Sequence, residues 1–149
     1  MNLEDMTLDI EQRIEVKGAI DRVFKSVLNR LGAGFTRHDG ESLQMNLEDW
    51  AGGRWFRDRG DGVQHLWGHV QAIKPSSLIE LSGPMFMSYP AINHLEVKLD
   101  EADGVTTVTL RHRAFGMIDQ QHREGVSQGW QGFLESVKGD FGGAAGTPA

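Results

Sequence analysis

The sequence contains no cysteine. That absence excludes disulfide scaffolds, thiolate zinc sites and cysteine nucleophiles together. No apolar run approaches the roughly 18 residues that span a bilayer, and Met1 to Ile10 is acidic where a secretory signal would be basic and then apolar. The expectation is a cytoplasmic protein without membrane insertion. Positive charge is scarce: 15 Lys and Arg stand against 21 Asp and Glu, a formal net charge of -6. Nucleic-acid affinity rests largely on neutralising phosphates, so nucleic acid is not an expected partner. Arg54, Arg57 and Arg59 do cluster, but Asp58 and Asp61 dilute them. Catalytic motifs are thin as well. No serine stands in a nucleophile-elbow context and there is no phosphate-cradling glycine loop. Asp119 with Glu124 suits helix capping and solvated charge better than an acid–base pair. No cofactor is implied.

What is present suffices for one core. Of 149 residues, 39% are hydrophobic, which suits a single domain over residues 1–141, with the small residues 142–149 expected as a flexible tail. Leu8, Ile10, Gln12, Ile14 and Val16 alternate with Asp9, Glu11, Arg13, Glu15 and Lys17, the period of a half-buried strand. Val23, Phe24, Val27, Leu28 and Leu31 then recur at helical spacing until Gly32 and Gly34. Six strands follow, over 43–47, 54–57, 63–73, 78–82, 92–99 and 105–115, separated by turn residues such as Gly60-Asp61-Gly62 and Asp103-Gly104. Short connections predict an antiparallel meander. Asp119 caps a closing helix that runs to about Asp140. The fold class is α+β.

The closing helix raises a question. Val126, Trp130, Phe133, Val137 and Phe141 form one face, and Gly125, Gly129, Gly132 and Ser136 form a stripe beside it. Each interior glycine costs a helix roughly 1 kcal/mol against alanine. Either the stripe lets the backbone pack closely against a neighbour, the expected arrangement in dense interiors, or it leaves space for a cavity. Both predict that Gly129→Leu destabilises the protein.

The order of elements, with AGGRWFRDRGDG (51–62), WGHVQAIKPSSLIELSG (67–83), GVTTVTLRHRAFG (104–116) and GWQGFLESVK (129–138), resembles the START-like, or SRPBCC, superfamily. Within it the sequence is similar to the group named after the activator of Hsp90 ATPase, which includes bacterial proteins labelled polyketide cyclase-like. The resemblance covers about Leu8 to Phe141. It implies a helix-grip (START-like, Bet v 1-like) fold, in which a curved antiparallel sheet wraps a long C-terminal helix with a small-molecule cavity between them. Nothing in the sequence resembles the Hsp90-docking domain of the eukaryotic co-chaperone, so chaperone activation is not carried over.

Three groups of residues are candidates for chemistry. His65 and His69 share a strand phase with Trp67, but no carboxylate in that phase completes a metal site, and none is expected. Asn93, with Leu95, and His112 fall in the apolar phases of consecutive strands, so both polar groups are expected to point inward. His112 is either satisfied by a neighbour or, with Asn93, the polar pair of a catalytic site, His112 acting as general base. The segment PMFMSYP (84–90) presents Met85, Phe86, Met87 and Tyr89 as a lid, a subunit contact or a loop folded into the core. The expected function is binding of a small apolar or aromatic ligand among Trp67, Phe86, Met87, Tyr89, Asn93, Leu95, His112, Phe115, Trp130 and Phe133. The alternatives are a cyclase- or hydrolase-type enzyme in the same cavity, or a protein-interaction module. An edge strand or the apolar loop offers a homodimer contact.

Overall fold

The computed structural model describes residues 2–142; the expected tail, apart from Gly142, lies outside the described residues. A short 3-10 turn at Leu3–Met6, capped by Asn2, leads into β1 (Thr7–Lys17) and α1 (Ile20–Leu31). Six strands follow: β2 (Met45–Leu47), β3 (Arg54–Asp58), β4 (Gln64–Lys74), β5 (Leu78–Gly83), β6 (Ala91–Ala102) and β7 (Val105–Gly116). The chain closes with α2 (Gln120–Gly139). The strands form a single antiparallel sheet in the order β1-β7-β6-β5-β4-β3-β2, so every neighbour except β1–β7 is also consecutive in sequence. The meander follows from two-residue hairpins such as Asp103-Gly104, whose φ values of 55° and 79° are the pair that a type I′ turn requires.

Alternation decides which face is covered. In β7 the side chains of Thr106, Val108, Leu110, His112 and Ala114 are buried, whereas Arg113 and Phe115 are exposed. The buried face carries both helices. Val23, Phe24, Val27 and Leu31 of α1 pack inward, and the indole of Trp55 on β3 donates to the Leu31 carbonyl at 2.8 Å, pinning the end of α1 to the sheet. Asp119 caps α2 by accepting from the Gln121 N–H at 2.8 Å. At its far end Asp140 accepts from Arg30 Nε at 3.0 Å, joining α2 to α1. Along its length Gln12 Nε2 donates to the Ser127 carbonyl at 2.8 Å.

Val126, Trp130, Phe133, Leu134 and Val137 of α2 are buried. A buried side chain of this size contributes about 1.5–3 kcal/mol. Five of them outweigh a glycine cost of about 1 kcal/mol each, so α2 forms despite its composition because tertiary packing holds it. Among the described residues no helix is long and apolar enough to cross a membrane.

Candidate functional site

Beside α2 the surface is indented. A cleft of about 960 Å³ opens between that helix, the connection Phe35–Leu43 after α1, and the sheet residues below it. One wall is a run of rings. Phe86 meets Trp67 with centroids 5.6 Å apart, Trp67 meets Phe35 at 5.9 Å, Phe35 meets Phe133 at 5.9 Å, and Phe133 meets Trp130 at 5.8 Å. Along α2 the cleft also runs over bare main chain, between polar side chains such as Gln121, Gln128 and Glu135. A Cβ placed on Gly125, Gly129 or Gly132 would find no atom within 4 Å, and all three line the cleft. Close packing, the expected use of these glycines, does not occur. They leave room, and a leucine at position 129 would enter open space rather than clash.

His112 lies behind the ring wall. It is fully buried, with Phe86 and Trp130 edge-on to it at 6.4 and 5.8 Å. The Trp130 indole N–H donates to His112 Nδ1 at 2.9 Å, so the imidazole proton sits on Nε2 and is donated to Asn93 Oδ1 at 2.6 Å. Asn93 Nδ2 in turn donates to the Pro84 carbonyl at 3.1 Å. Burial lowers the His112 pKa to about 4, so the ring is neutral at physiological pH. With both nitrogens engaged by protein groups, His112 has no lone pair free to take a proton from a ligand. The arrangement is a satisfied polar network that orients Trp130.

Trp67 reaches the cleft because β4 carries a bulge. Trp55 pairs with Gly68 and Phe56 with Leu66, leaving Trp67 as the extra residue. A Cβ at Gly68 would lie 2.5 Å from the Ser82 carbonyl oxygen, so only glycine admits the close approach of β5. The bulge also reverses the phase beyond it. His65 stays on the side of Trp67 and accepts its indole N–H at 3.1 Å, whereas His69 is exposed on the opposite face. The expectation that both histidines share a face with Trp67 is therefore corrected. Among the described residues no group of three or more His, Asp or Glu is placed to hold a metal ion. The loop after β5 folds into the core: Met85 and Met87 are buried, and Met85 N–H donates to the Trp67 carbonyl at 2.7 Å.

The sequence profile of the family described as Activator of Hsp90 ATPase homolog 1-like protein matches residues 19–141. The chain belongs to this family. Solved structures agree on the fold at low identity. The di-domain ARO/CYC StfQ from the steffimycin biosynthetic pathway is 15% identical with a TM-score of 0.66, covering 93% of this chain and 52% of that one. CalU16 from Micromonospora echinospora is 19% identical with a TM-score of 0.61, covering 96% and 76%. Ara h 8.0201 is 14% identical with a TM-score of 0.62, covering 91% and 97%. No curated protein matches the chain. The fold is the helix-grip, Bet v 1-like fold, and its polyketide cyclase-like neighbours share it.

Within this family member the expected ligand residues separate into groups. Trp67, Phe86, Trp130 and Phe133 line the cleft. Asn93, Leu95, His112 and Met87 are buried behind it without lining it. Tyr89 is half-buried and bonded to His122. Phe115 is corrected: it is 53% exposed on the outer face, because it is one residue out of phase with His112 and Ala114. Most of the other lining residues, from the connection after α1 and from the outer side of α2, were not expected, and two of them carry rings that matter to the site. Phe35 follows the helix-ending Gly32 and Gly34 and had read as loop. His122 precedes Val126 and Trp130 by one and two turns, a helical spacing that does place it on the same face.

Proposed function

We propose that this protein binds a small apolar or aromatic molecule in the cleft between its sheet and its C-terminal helix. The observation that carries the reading is the make-up of the cleft: the rings of Phe35, Trp67, Phe86, Trp130 and Phe133 lie in it beside a stretch of α2 that carries no side chain at Gly125, Gly129 and Gly132. A mostly apolar concavity of several hundred Å³ with a few polar groups at its edge is the usual form of a small-molecule site. Membership of the family and its fold support the same class of ligand. Binding without turnover is the reading that His112 favours, since its nitrogens are committed to Trp130 and Asn93.

Native mass spectrometry of freshly purified protein, together with titration of the fluorescent aromatic N-phenyl-1-naphthylamine, tests this. A retained apolar mass or saturable dye binding is expected. An empty protein that takes up neither dye nor any hydrophobic ligand overturns the reading.

A further inference from the structure

The chemistry that the cleft selects can be read from one side chain, on the premise that the cleft binds a ligand as proposed above. His122 stands in the first turn of α2 and lines the cleft. Two contacts hold its ring. It meets Phe86 edge-on, with centroids 5.5 Å apart and planes at 86°, and lies tilted against Tyr89 at 5.4 Å and 31°. A third contact decides which nitrogen is free: Nδ1 is 2.8 Å from the Tyr89 hydroxyl. A phenol is a far stronger acid than a neutral imidazole N–H, so the hydroxyl donates, Nδ1 accepts, and the imidazole proton resides on Nε2. Protonation of the ring does not change that outcome. The added proton goes to Nδ1, the phenol oxygen becomes the acceptor, and Nε2–H is still a donor. Within the described residues Nε2 makes no hydrogen bond. The ring therefore holds a donor at the end of the aromatic wall formed by Phe86, Trp67 and Phe35.

We infer that His122, positioned by Tyr89, orients the ligand by donating Nε2–H to an oxygen acceptor. The cleft then selects flat aromatic molecules that carry a carbonyl, carboxylate or phenolate oxygen at one end over hydrocarbons of the same shape. Tyr89 acts through His122: it fixes the tautomer and the ring plane and is a positioning residue.

A matched pair of naphthalenes tests this. 2-Acetylnaphthalene carries a carbonyl, and 2-ethylnaphthalene has nearly the same shape without an acceptor. Dissociation constants are read from quenching of tryptophan fluorescence in the wild type, His122→Phe and Tyr89→Phe, both substitutions keeping an aromatic ring in place. His122→Phe is expected to weaken the ketone about tenfold, the worth of one net hydrogen bond, and the hydrocarbon less than about twofold. Tyr89→Phe should weaken the ketone about threefold, since the donor remains but its orientation is loosened. The infrared carbonyl stretch of bound 2-acetylnaphthalene should lie lower in the wild type than in His122→Phe, a signature that loss of packing alone does not produce. Equal losses for both naphthalenes, or a carbonyl stretch that does not move, overturn the role of His122 and leave binding in the cleft standing. If neither naphthalene binds the wild type, the ligand-binding reading falls and this inference falls with it.

Discussion

The indole of Trp130 and the imidazole of His112 share one hydrogen bond, 2.9 Å long, in a part of the core from which water is excluded. Neither partner has an alternative. Trp130→Phe leaves Nδ1 buried without a donor, and an unsatisfied buried acceptor costs about 1–3 kcal/mol in addition to lost packing. His112→Leu removes the acceptor. The double variant should therefore be less destabilised than the sum of the singles by about 1 kcal/mol or more, measured by urea unfolding. Strict additivity would show that the bond contributes nothing.

The same burial makes stability depend on acidity in a defined window. His112 titrates at about 4 in the folded protein against an ordinary value near 6.5. Between those values the unfolded chain binds a proton that the folded chain does not, so this contribution is complete above pH 6.5 and is lost as the pH falls toward 4. The slope is up to about 1.4 kcal/mol per pH unit and the total about 3 kcal/mol. Asp9 and Asp140, held below the usual carboxylate range first by hydrogen bonds from Arg111 and Arg30, lose their contributions only at lower pH. Unfolding free energies measured from pH 7 to pH 4 should fall less steeply in His112→Leu than in the wild type. Equal slopes would contradict the burial of a neutral imidazole.

Substitutions on the glycine stripe should separate folding from binding. Gly125→Ala and Gly132→Ala add a methyl group to open space and remove backbone freedom, so each should stabilise α2 by about 0.5–1 kcal/mol. Gly129→Leu should leave the melting temperature unchanged or raised while weakening N-phenyl-1-naphthylamine binding about tenfold, because the side chain occupies the space the dye would fill. A large drop in melting temperature for Gly129→Leu would mean that the helix approaches its neighbours more closely than described.

Gly68 is the opposite case. Its absent side chain admits the Ser82 carbonyl at a distance no Cβ tolerates, so Gly68→Ala should destabilise the protein by about 2 kcal/mol or more and disturb the bulge that turns Trp67 inward. Thermal unfolding and the fluorescence maximum of the tryptophans report both effects.

Most of the architecture was legible because β1, β6 and β7 are long strands with one covered face, where a period of two admits one register. That phase also placed Asn93 and His112 inward. The same phase points Phe115 outward, and its aromatic character does not override that geometry. His69 was misplaced because a bulge adds one residue and inverts everything after it; glycine at position 68, inside a strand, was the available warning. The cleft itself was half legible. The stripe on α2 could be counted from the sequence, but whether it met protein or space depended on Phe35, which reaches Phe133 across nearly a hundred residues of chain. No local pattern carries that contact.

The glycine side of the cleft has a consequence for how a guest is received. A surface of helix backbone has no rotamers to adjust, and its carbonyl groups are already committed to the helix. It behaves as a fixed floor, so any accommodation between guests of different outline falls to side chains that share the cleft, the rings of Phe35 and Phe86 among them. A guest slightly too thick is refused by the floor, while one slightly too long is met by side chains that can turn.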